Sequence, residues 1–404
     1  MATWFLVIVY LAFISLGLPD SLLGAAWPVM RQDLNASLGS AGLISMIIAA
    51  GTIVSSLCSG KLIEKIGTGN ITLLSCLMTA LALFGFSWSP SLLWLMILAI
   101  PLGLGGGAVD AALNHYVAAH YKAHHMNWLH CFWGIGATLG PIIMAHHLAN
   151  QGAWRQGYTT VSMIQFGLVI VLLFSLPLWG KVAAARRRNN GALDNEPQQS
   201  TETDGITTSA STSIFKLYGV KPTLLAFLLY CGVETTVGLW GASYLVGMRG
   251  ITAQTAAVWI SLYYGGITLG RFLTGFLSLK LSNLLMIRFG QWTALVGGII
   301  VLLPLPEGFA LTGLILIGLG LAPIYPSLLH ETPARFGQGN SARLMGYQMA
   351  VAYTGTTVLP PLFGVMAASL SVGLFPFVIA IFLLCMLGST ERVNRILASR
   401  NKEA

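Results

Sequence analysis

The chain has 404 residues, of which 55% are hydrophobic and only 8% are charged, and its mean hydropathy is +0.75. Ordinary soluble domains carry about 25% charged residues, so this composition excludes a soluble enzyme, a disordered protein and a disulfide-stapled secreted domain. A net charge of +8 would indicate nucleic acid in a soluble protein. Here we expect membrane lipids as the surroundings and no nucleic-acid partner, because the basic residues lie mainly in the loops between apolar stretches.

Twelve stretches are long and apolar enough to cross a membrane as helices, which takes about 20 residues. They lie at 3–30, 39–62, 70–88, 92–118, 128–149, 157–180, 221–247, 253–279, 284–304, 309–330, 343–368 and 371–388. The first stretch starts at the initiator Met without a basic region, which favours a retained helix over a cleaved signal. The sequence therefore predicts an all-α membrane protein with twelve transmembrane helices in two six-helix halves, residues 1–180 and 221–390.

A hydrophilic segment, 181–220, separates the two halves, and a short tail, 391–404, follows the last span. The segment is rich in Arg, Gln, Thr and Ser, which is typical of a flexible linker. Three of the 21 basic residues, Arg31, Arg155 and Arg249, fall on the side opposite the termini. Because Lys and Arg are retained in the cytoplasm, we expect a multi-pass protein of the cell membrane with both termini in the cytoplasm.

The two halves carry an internal repeat, a common feature of transporters. In the second and eighth spans, two glycines lie nine residues apart and a lysine follows five residues later. These residues are Gly51, Gly60 and Lys65 in the second span, and Gly266, Gly275 and Lys280 in the eighth. The fourth and tenth spans share the glycine-rich sequences LGLGGG and IGLGLA. Matches in the same order in both halves favour a duplicated bundle.

The segment 60–69, GKLIEKIGTG, resembles the signature of the major facilitator superfamily, G-x-x-x-D-[RK]-x-G, with Glu64 in place of the Asp. The resemblance implies the major facilitator fold. In that family the segment gates the cytoplasmic side, so Gly60, Glu64 and Lys65 would take gating roles. Arg271, in the eighth span, either snorkels to the cytoplasmic side or forms a salt bridge at a gate.

Three carboxylates, Asp20, Asp110 and Glu234, fall well inside predicted spans. A charge there costs about 2.5–3.5 kcal/mol, so each must face an internal cavity, find partners or stay protonated. All three are candidates for proton coupling, and the alternative is a polar clamp between buried helices. Asn114 lies one helical turn after Asp110 on the same face. Its amide either binds the hydroxyl groups of a sugar or satisfies the carboxylate.

The sequence D-A-A-L-N from Asp110 to Asn114 resembles the fourth helix of the fucose-proton symporter family, within the same superfamily. The resemblance implies that Asp20 and Asp110 act together in proton coupling. The fifth span, MNWLHCFWGIGATLG, is similar to that family's L-N-L-x-Q-x-F-N-x-I-G-x-x-L-G. His130 would then replace a substrate-contacting Gln, and Trp133 would replace an Asn.

The seventh span, GVETTVGLW, resembles the family's G-x-[QE]-x-x-x-x-x-W element, which implies that Glu234 and Trp240 face the cavity. From the residues alone, the histidine of the fifth span is either a proton relay or a core residue, and the tryptophans either stack on a sugar or pack between helices. Gln348 and Tyr353, in the eleventh span, are further candidates for binding hydroxyl groups. The candidate substrate-binding residues are thus Asn114, His130, Trp133, Glu234, Trp240, Gln348 and Tyr353.

The sequence contains neither a phosphate-binding loop nor a catalytic or metal-ligand pattern. We therefore expect a monomeric transporter without cofactors that is driven by an ion gradient, and not an enzyme. The first hypothesis is proton-coupled symport of a sugar or similar polyhydroxylated solute by alternating access, with sodium as the competing coupling ion. The second is a proton-coupled efflux antiporter for drugs or metabolites, indicated by G-x-x-x-G-P at 136–141. A membrane sensor or scaffold is the third.

Overall fold

The computed structural model describes residues 2–121, 123–149, 153–193 and 217–403. Within these residues the chain folds almost entirely into α-helices, as the apolar stretches predict, so the all-α class is confirmed. The helices are α1 Ala2–Asp20, α2 Leu22–Asp33, α3 Ser40–Ile66, α4 Thr68–Ser87, α5 Leu92–His120, α6 Ala123–Leu148, α7 Trp154–Leu193, α8 Val220–Arg249, α9 Ala253–Leu277, α10 Asn283–Leu302, α11 Glu307–Leu321, α12 Ile324–His330, α13 Thr332–Phe336, α14 Gln338–Ser369 and α15 Phe375–Glu403.

The first predicted span consists of two helices, α1 and α2, which meet at Ser21. Pro19 lies in the last turn of α1, and because proline has no backbone N–H it weakens the helical hydrogen bonding there. The Ser21 hydroxyl donates to the carbonyl oxygen of Ala137 on α6 at 2.8 Å. The interruption therefore occurs in the middle of the span, next to Asp20.

Eleven spans within the described residues are long and apolar enough to cross a membrane. The predicted span 253–279 is α9, whose 25 residues extend about 37 Å at 1.5 Å per residue. This helix has sufficient length but is less apolar than the others, since it carries Tyr263, Tyr264 and Arg271. Tyr264 and Arg271 line the cavity described below, whereas Tyr263 is buried and donates to the carbonyl oxygen of Glu234 at 3.1 Å.

Two predicted boundaries differ from the structure. Helix α7 continues to Leu193, so the segment 181–193 is helical where a flexible linker is expected, and its alanines and arginines have high helix propensity. Helix α15 continues to Glu403 through the predicted tail. The rest of the predicted linker, 194–216, lies outside the described residues.

The internal repeat has a counterpart in helix packing. A Cβ atom on Gly51 would lie 3.1 Å from the backbone of α5, and one on Gly266 would lie 2.9 Å from the backbone of α11. Gly51 thus lets α3 lie close against α5, and Gly266 lets α9 lie close against α11 in the other half. Gly60 and Gly275, the other glycines of the repeat, have nothing within 4 Å, so packing does not explain them.

The two halves contact each other on the side of the bundle where α2 ends and α3 begins, which we call the far side. The start of α1 and the end of α15 define the opposite, terminal side. A Cβ atom on Gly24 of α2 would lie 2.1 Å from the carbonyl oxygen of Gly238 on α8. One on Gly42 of α3 would lie 2.8 Å from Pro361 of α14. Only glycine permits backbones to approach this closely, so the far side is closed.

The signature-like segment lies on the terminal side between α3 and α4. Gly67 has φ of +81°, a conformation that favours glycine, and its N–H donates to the carbonyl oxygen of Ile63 at 2.9 Å. Glu64 and Lys65 are exposed. Their gating role stays a prediction.

Candidate functional site

A cavity of about 1080 Å³ lies between the two halves. Helices from both halves line it, chiefly α1, α3, α5 and α6 on one side and α8, α9, α12 and α14 on the other. The lining continues to the turn between α9 and α10, with Ser282 and Asn283, and to Glu331 after α12. Those residues lie on the terminal side, so the cavity opens there while the far side is closed.

All three carboxylates predicted from the spans line this cavity. Asp20 accepts a hydrogen bond from the indole N–H of Trp133, with 2.7 Å between Nε1 and Oδ2. Asp110 accepts one from the amide of Asn114, with 2.8 Å between Nδ2 and Oδ1. Within the described residues, neither aspartate forms an ion pair. The first half therefore presents two carboxylates that no cation neutralises.

Glu234 has a cationic partner, but the contact is long. Nη2 of Arg271 lies 3.5 Å from Oε1 of Glu234 and 3.4 Å from the hydroxyl oxygen of Tyr230. Strong hydrogen bonds to carboxylates are usually about 2.7–2.9 Å long. Arg271 is the one Lys or Arg among the described residues that line the cavity, and it therefore faces an excess of acidic groups.

One indole ring connects the charged groups of the two halves. Trp133 of α6 donates to Asp20, and the guanidinium carbon of Arg271 lies 5.3 Å from the centre of the Trp133 ring. This distance is within the range of a cation–π interaction. Trp133 also meets the edge of Tyr264, with 6.4 Å between ring centres. Asp20 and Arg271, on opposite halves, thus share a neighbour whose position depends on both.

Two further predicted residues reach the cavity. His130 lines it, and the edge of its ring meets Phe13 at 6.0 Å between ring centres. Tyr353 also lines it and is 39% exposed. The side chains of His130, Trp133, Glu234 and Tyr353 are therefore placed where a solute in the cavity would touch them.

The structure does not bring the other three candidates to the cavity surface. Trp240 is fully buried, and its Nε1 donates to the carbonyl oxygen of Pro360 at 2.9 Å. Gln348 is fully buried and exchanges hydrogen bonds of 2.9 and 3.1 Å with Thr332. In this conformation Trp240 does not face the cavity as expected, and the polar groups of both residues are satisfied inside the second half. Their part in substrate binding stays a prediction. Asn114 lies behind Asp110 and satisfies that carboxylate.

The cavity is lined by hydroxyl groups of the first half, at Ser15, Ser45, Thr52 and Thr79, and by a larger set in the second half. The sequence analysis missed the following residues of that second-half set. They are the phenols of Tyr230, Tyr264 and Tyr325 and the hydroxyls of Thr235, Thr356 and Thr357. Helical spacing could have found two of them, since Tyr230 lies one turn before Glu234 and Tyr264 lies two turns before Arg271. The others share no spacing with a charged residue.

The glycine–proline sequence 136–141 of α6 is explained by helix packing. A Cβ atom on Gly136 would lie 2.1 Å from the carbonyl oxygen of Ile14, and one on Gly140 would lie 2.4 Å from that of Leu18. Both contacts join α6 to α1 within the first half. The sequence therefore permits close contact between these helices and is not specific to antiport.

Comparison with known proteins agrees with this architecture. The sequence profile of the Major Facilitator Superfamily matches residues 9–360. The cis,cis-muconate transport protein of Acinetobacter baylyi is 24% identical over 92% of this chain and 90% of that protein. The glucose/mannose transporter GlcP of Bacillus subtilis is 22% identical over 79% of this chain and 77% of that protein. In the yeast relative named Bypass of stop codon protein 6, the match spans 66% of this chain but only 55% of that protein.

The fold also matches solved transporters. The D-xylose-proton symporter superposes with a TM-score of 0.71 over 96% of this chain and 96% of that chain, at 14% sequence identity. At this identity the likeness establishes the fold.

Proposed function

Because the chain belongs to the Major Facilitator Superfamily, and is thus a multi-pass membrane transporter rather than an enzyme, we propose that it is a proton-coupled symporter. Its cargo is a sugar or a similar small polyhydroxylated solute, carried inward by alternating access. The observation that carries this proposal is the cavity itself, where Asp20, Asp110 and Glu234 face a single arginine.

The excess of carboxylates supports proton coupling. A membrane-embedded charge without a partner costs about 2.5–3.5 kcal/mol, and Asp20 and Asp110 have no cation beside them in the described part of the chain. Protonation of the carboxylates removes that cost while the cavity is closed to both sides of the membrane, between the two open conformations. Sodium would need several oxygen ligands converging on one point, whereas the carboxylates of Asp20 and Asp110 are hydrogen-bonded to separate donors.

The lining of the second half supports a polyhydroxylated cargo. Hydroxyl groups of tyrosine and threonine both donate and accept hydrogen bonds, and aromatic rings such as Tyr353 offer a face to the C–H groups of a sugar. The relative GlcP is named for glucose and mannose transport. Apolar groups make up the larger part of the lining surface, which is the feature that would fit a lipophilic drug in the antiporter alternative.

Alternating access follows from the contacts between the halves. In the described conformation the cavity reaches the terminal side, and the contacts of Gly24 with Gly238 close the far side. Rocking of the halves about the cavity would separate these backbones and bring the terminal ends together. We propose that the terminal side is cytoplasmic, because the basic residues concentrate there, and that the protein works as a monomer in the cell membrane.

The test is a transport panel in proteoliposomes that enclose a pH-sensitive dye. Hexoses, deoxyhexoses, amino sugars, sugar acids and disaccharides are added outside, each with and without sodium. The proposal predicts that at least one of them acidifies the interior without sodium. Proton movement in the opposite direction, driven by lipophilic cations or other metabolites, would replace it with the efflux antiporter.

A further inference from the structure

Arg271 has hydrogen-bonding capacity that the protein leaves unused. A guanidinium group carries five N–H donors, yet within the described residues only Nη2 of Arg271 has acceptors, at 3.4 Å from Tyr230 and 3.5 Å from Glu234. Typical N–H···O distances are 2.7–3.2 Å. The donors on Nε and Nη1 have no acceptor in the described part of the chain, although the side chain is only 19% exposed.

Two other arginines of the same half show how such a group is normally satisfied. Arg288 binds Glu391 through two bonds of 2.6 and 2.8 Å, in the bidentate geometry of a strong ion pair. Arg249 donates through Nε, Nη1 and Nη2 to the Tyr244 hydroxyl and to backbone carbonyl groups at 2.9–3.1 Å. The second half can therefore satisfy a guanidinium group, and at Arg271 it does so only partly.

The position of these free donors matters because Arg271 lines the cavity. Donors that face a cavity can be satisfied by water or by a bound solute. A carboxylate matches the planar guanidinium group with two parallel hydrogen bonds, which a neutral hydroxyl group cannot do. Such a ligand would also compete with Glu234 for the same cation.

Hydroxyl groups line the same cavity as Arg271. Thr235 of α8 and Thr357 of α14 both line the cavity, and each donates its proton to a carbonyl oxygen of its own helix, at 2.6 and 2.7 Å. Their oxygen lone pairs are thus left to accept hydrogen bonds from a solute. The cavity therefore combines one anchor for an anion with acceptors for hydroxyl groups.

From this combination we propose that the solute is a polyhydroxy acid, such as an aldonate or a uronate, whose carboxylate binds Arg271. This inference rests on the proposed function and narrows its substrate class. When the carboxylate of the solute engages the guanidinium group, Glu234 loses its cation and lies beside a second negative charge. A proton taken from water by Glu234 removes that repulsion, so binding of the acid and uptake of a proton favour each other.

The experiment is isothermal titration calorimetry on the purified full chain with matched ligands. For glucose, galactose and mannose, the free sugar is compared with its aldonate and its uronate, and acetate serves as a probe of charge alone. We expect at least one acid to bind tenfold or more tightly than its neutral parent, and acetate to bind more weakly than that acid. Equal or tighter binding of the neutral sugars would overturn the inference and leave the sugar symporter standing.

The variants Arg271→Gln and Arg271→Lys test whether this residue provides the preference. In Arg271→Gln the acid should lose at least tenfold in affinity, while a neutral sugar changes by less than threefold. Arg271→Lys keeps the charge but not the fork of donors, so it should keep part of the preference. The control Arg343→Gln removes the same charge from an exposed position on α14.

Each remaining outcome has a definite meaning. An unchanged preference in Arg271→Gln would overturn the assignment, and so would tight binding of acetate, which would indicate an anion carrier without need of hydroxyl groups. Failure of every sugar and every acid to bind would overturn the proposed function itself. If Arg271→Gln does not fold, the wild-type ranking of acid over neutral parent and the Arg271→Lys variant still decide the inference.

Discussion

The two halves of this transporter are built alike but present different chemistry to the cavity. Each half places a glycine, Gly51 or Gly266, where two of its helices approach closely. The first half contributes Asp20 and Asp110, which have no ion-pair partner among the described residues. The second half contributes Arg271, the tyrosines and the larger share of the hydroxyl groups. The close-packing glycines Gly51 and Gly266 therefore follow the duplication, and the charged residues lining the cavity do not.

This difference assigns separate tasks to the halves. Two carboxylates with only neutral hydrogen-bond donors are suited to hold and release protons, because no cation fixes them in the charged form. An arginine with free donors beside tyrosines and threonines is suited to bind a solute. Trp133 contacts both Asp20 and Arg271, so it links a proton-carrying residue to the solute-binding arginine. The variants below separate them.

The largest effect is expected for the carboxylates of the first half. Asp110→Asn and Asp20→Asn should each abolish proton-driven accumulation of the solute, because an amide cannot carry the proton. Exchange of labelled for unlabelled solute should survive, since it needs no net proton movement. Both rates are measured in the same proteoliposomes.

The control is Glu307→Gln, which neutralises an exposed carboxylate at the start of α11. It should accumulate solute as the wild type does. Normal accumulation in Asp110→Asn or Asp20→Asn would show that the altered residue is a structural clamp. That residue would then not carry protons, and the proposed difference between the halves would be contradicted.

The next effect is expected at the residue that joins the halves. Trp133→Phe keeps an aromatic ring but removes the N–H that donates to Asp20 at 2.7 Å. A hydrogen bond to a charged group contributes about 1.5–3 kcal/mol, so the midpoint of the pH dependence of transport should shift by about one unit or more. The bond stabilises the charged carboxylate, so its loss should move the midpoint to higher pH. A pH profile identical to that of the wild type would contradict the claim that the hydrogen bond from Trp133 stabilises the charged form of Asp20.

Contact between the halves can be weakened without touching either set of cavity residues. In Gly24→Ala the new methyl group would meet the carbonyl oxygen of Gly238 at 2.1 Å. Relieving such an overlap costs at least about 1 kcal/mol, which favours the conformation in which the far side is open by about fivefold. An impermeant maleimide added from the far side should then label Cys231, a cavity-lining residue, faster than in the wild type.

The matched control is Gly60→Ala, since a Cβ atom there has nothing within 4 Å, and Cys231→Ala gives the background labelling. Equal labelling rates in Gly24→Ala and Gly60→Ala would show that this contact does not hold the far side closed.

The smallest effect on transport is expected at Trp240, which is buried and does not line the cavity. Trp240→Phe removes the hydrogen bond to the carbonyl oxygen of Pro360, which should lower the free energy of unfolding by about 1 kcal/mol. The concentration of solute at half-maximal transport should change by less than twofold. A larger change would mean that Trp240 reaches the solute in another conformation of the cycle.

Sequence could predict the elements of this fold and its charged residues because both obey strong constraints. Lipid demands long apolar helices, and a carboxylate inside such a helix, such as Asp110, is too costly to be incidental. Rotation of a helix about its axis is less constrained. Trp240, expected at the cavity, is therefore buried in this conformation, and so is the candidate ligand Gln348. The polar atoms of these residues are satisfied by a neighbouring helix and not by the cavity, Trp240 by Pro360 of α14 and Gln348 by Thr332 of α13.

The hydroxyl lining was missed for a related reason. Threonine in a membrane helix can bond to its own backbone, as Thr356 does at 3.3 Å, and therefore gives no signal of function by itself. The length of α9 was predicted correctly, but its lower hydropathy was not recognised as the mark of a helix that faces water. A search for the least apolar span would have directed attention to Tyr264 and Arg271.

The central claim is that protons and solute move inward together through one cavity. It is tested by recording internal pH and labelled solute simultaneously in proteoliposomes of one orientation, with the solute identified by the transport panel. The account predicts that a solute gradient drives protons in the same direction at a fixed ratio, and that Asp110→Asn abolishes this proton flux while exchange continues. Solute entry without proton movement, or with protons moving the opposite way, would contradict it.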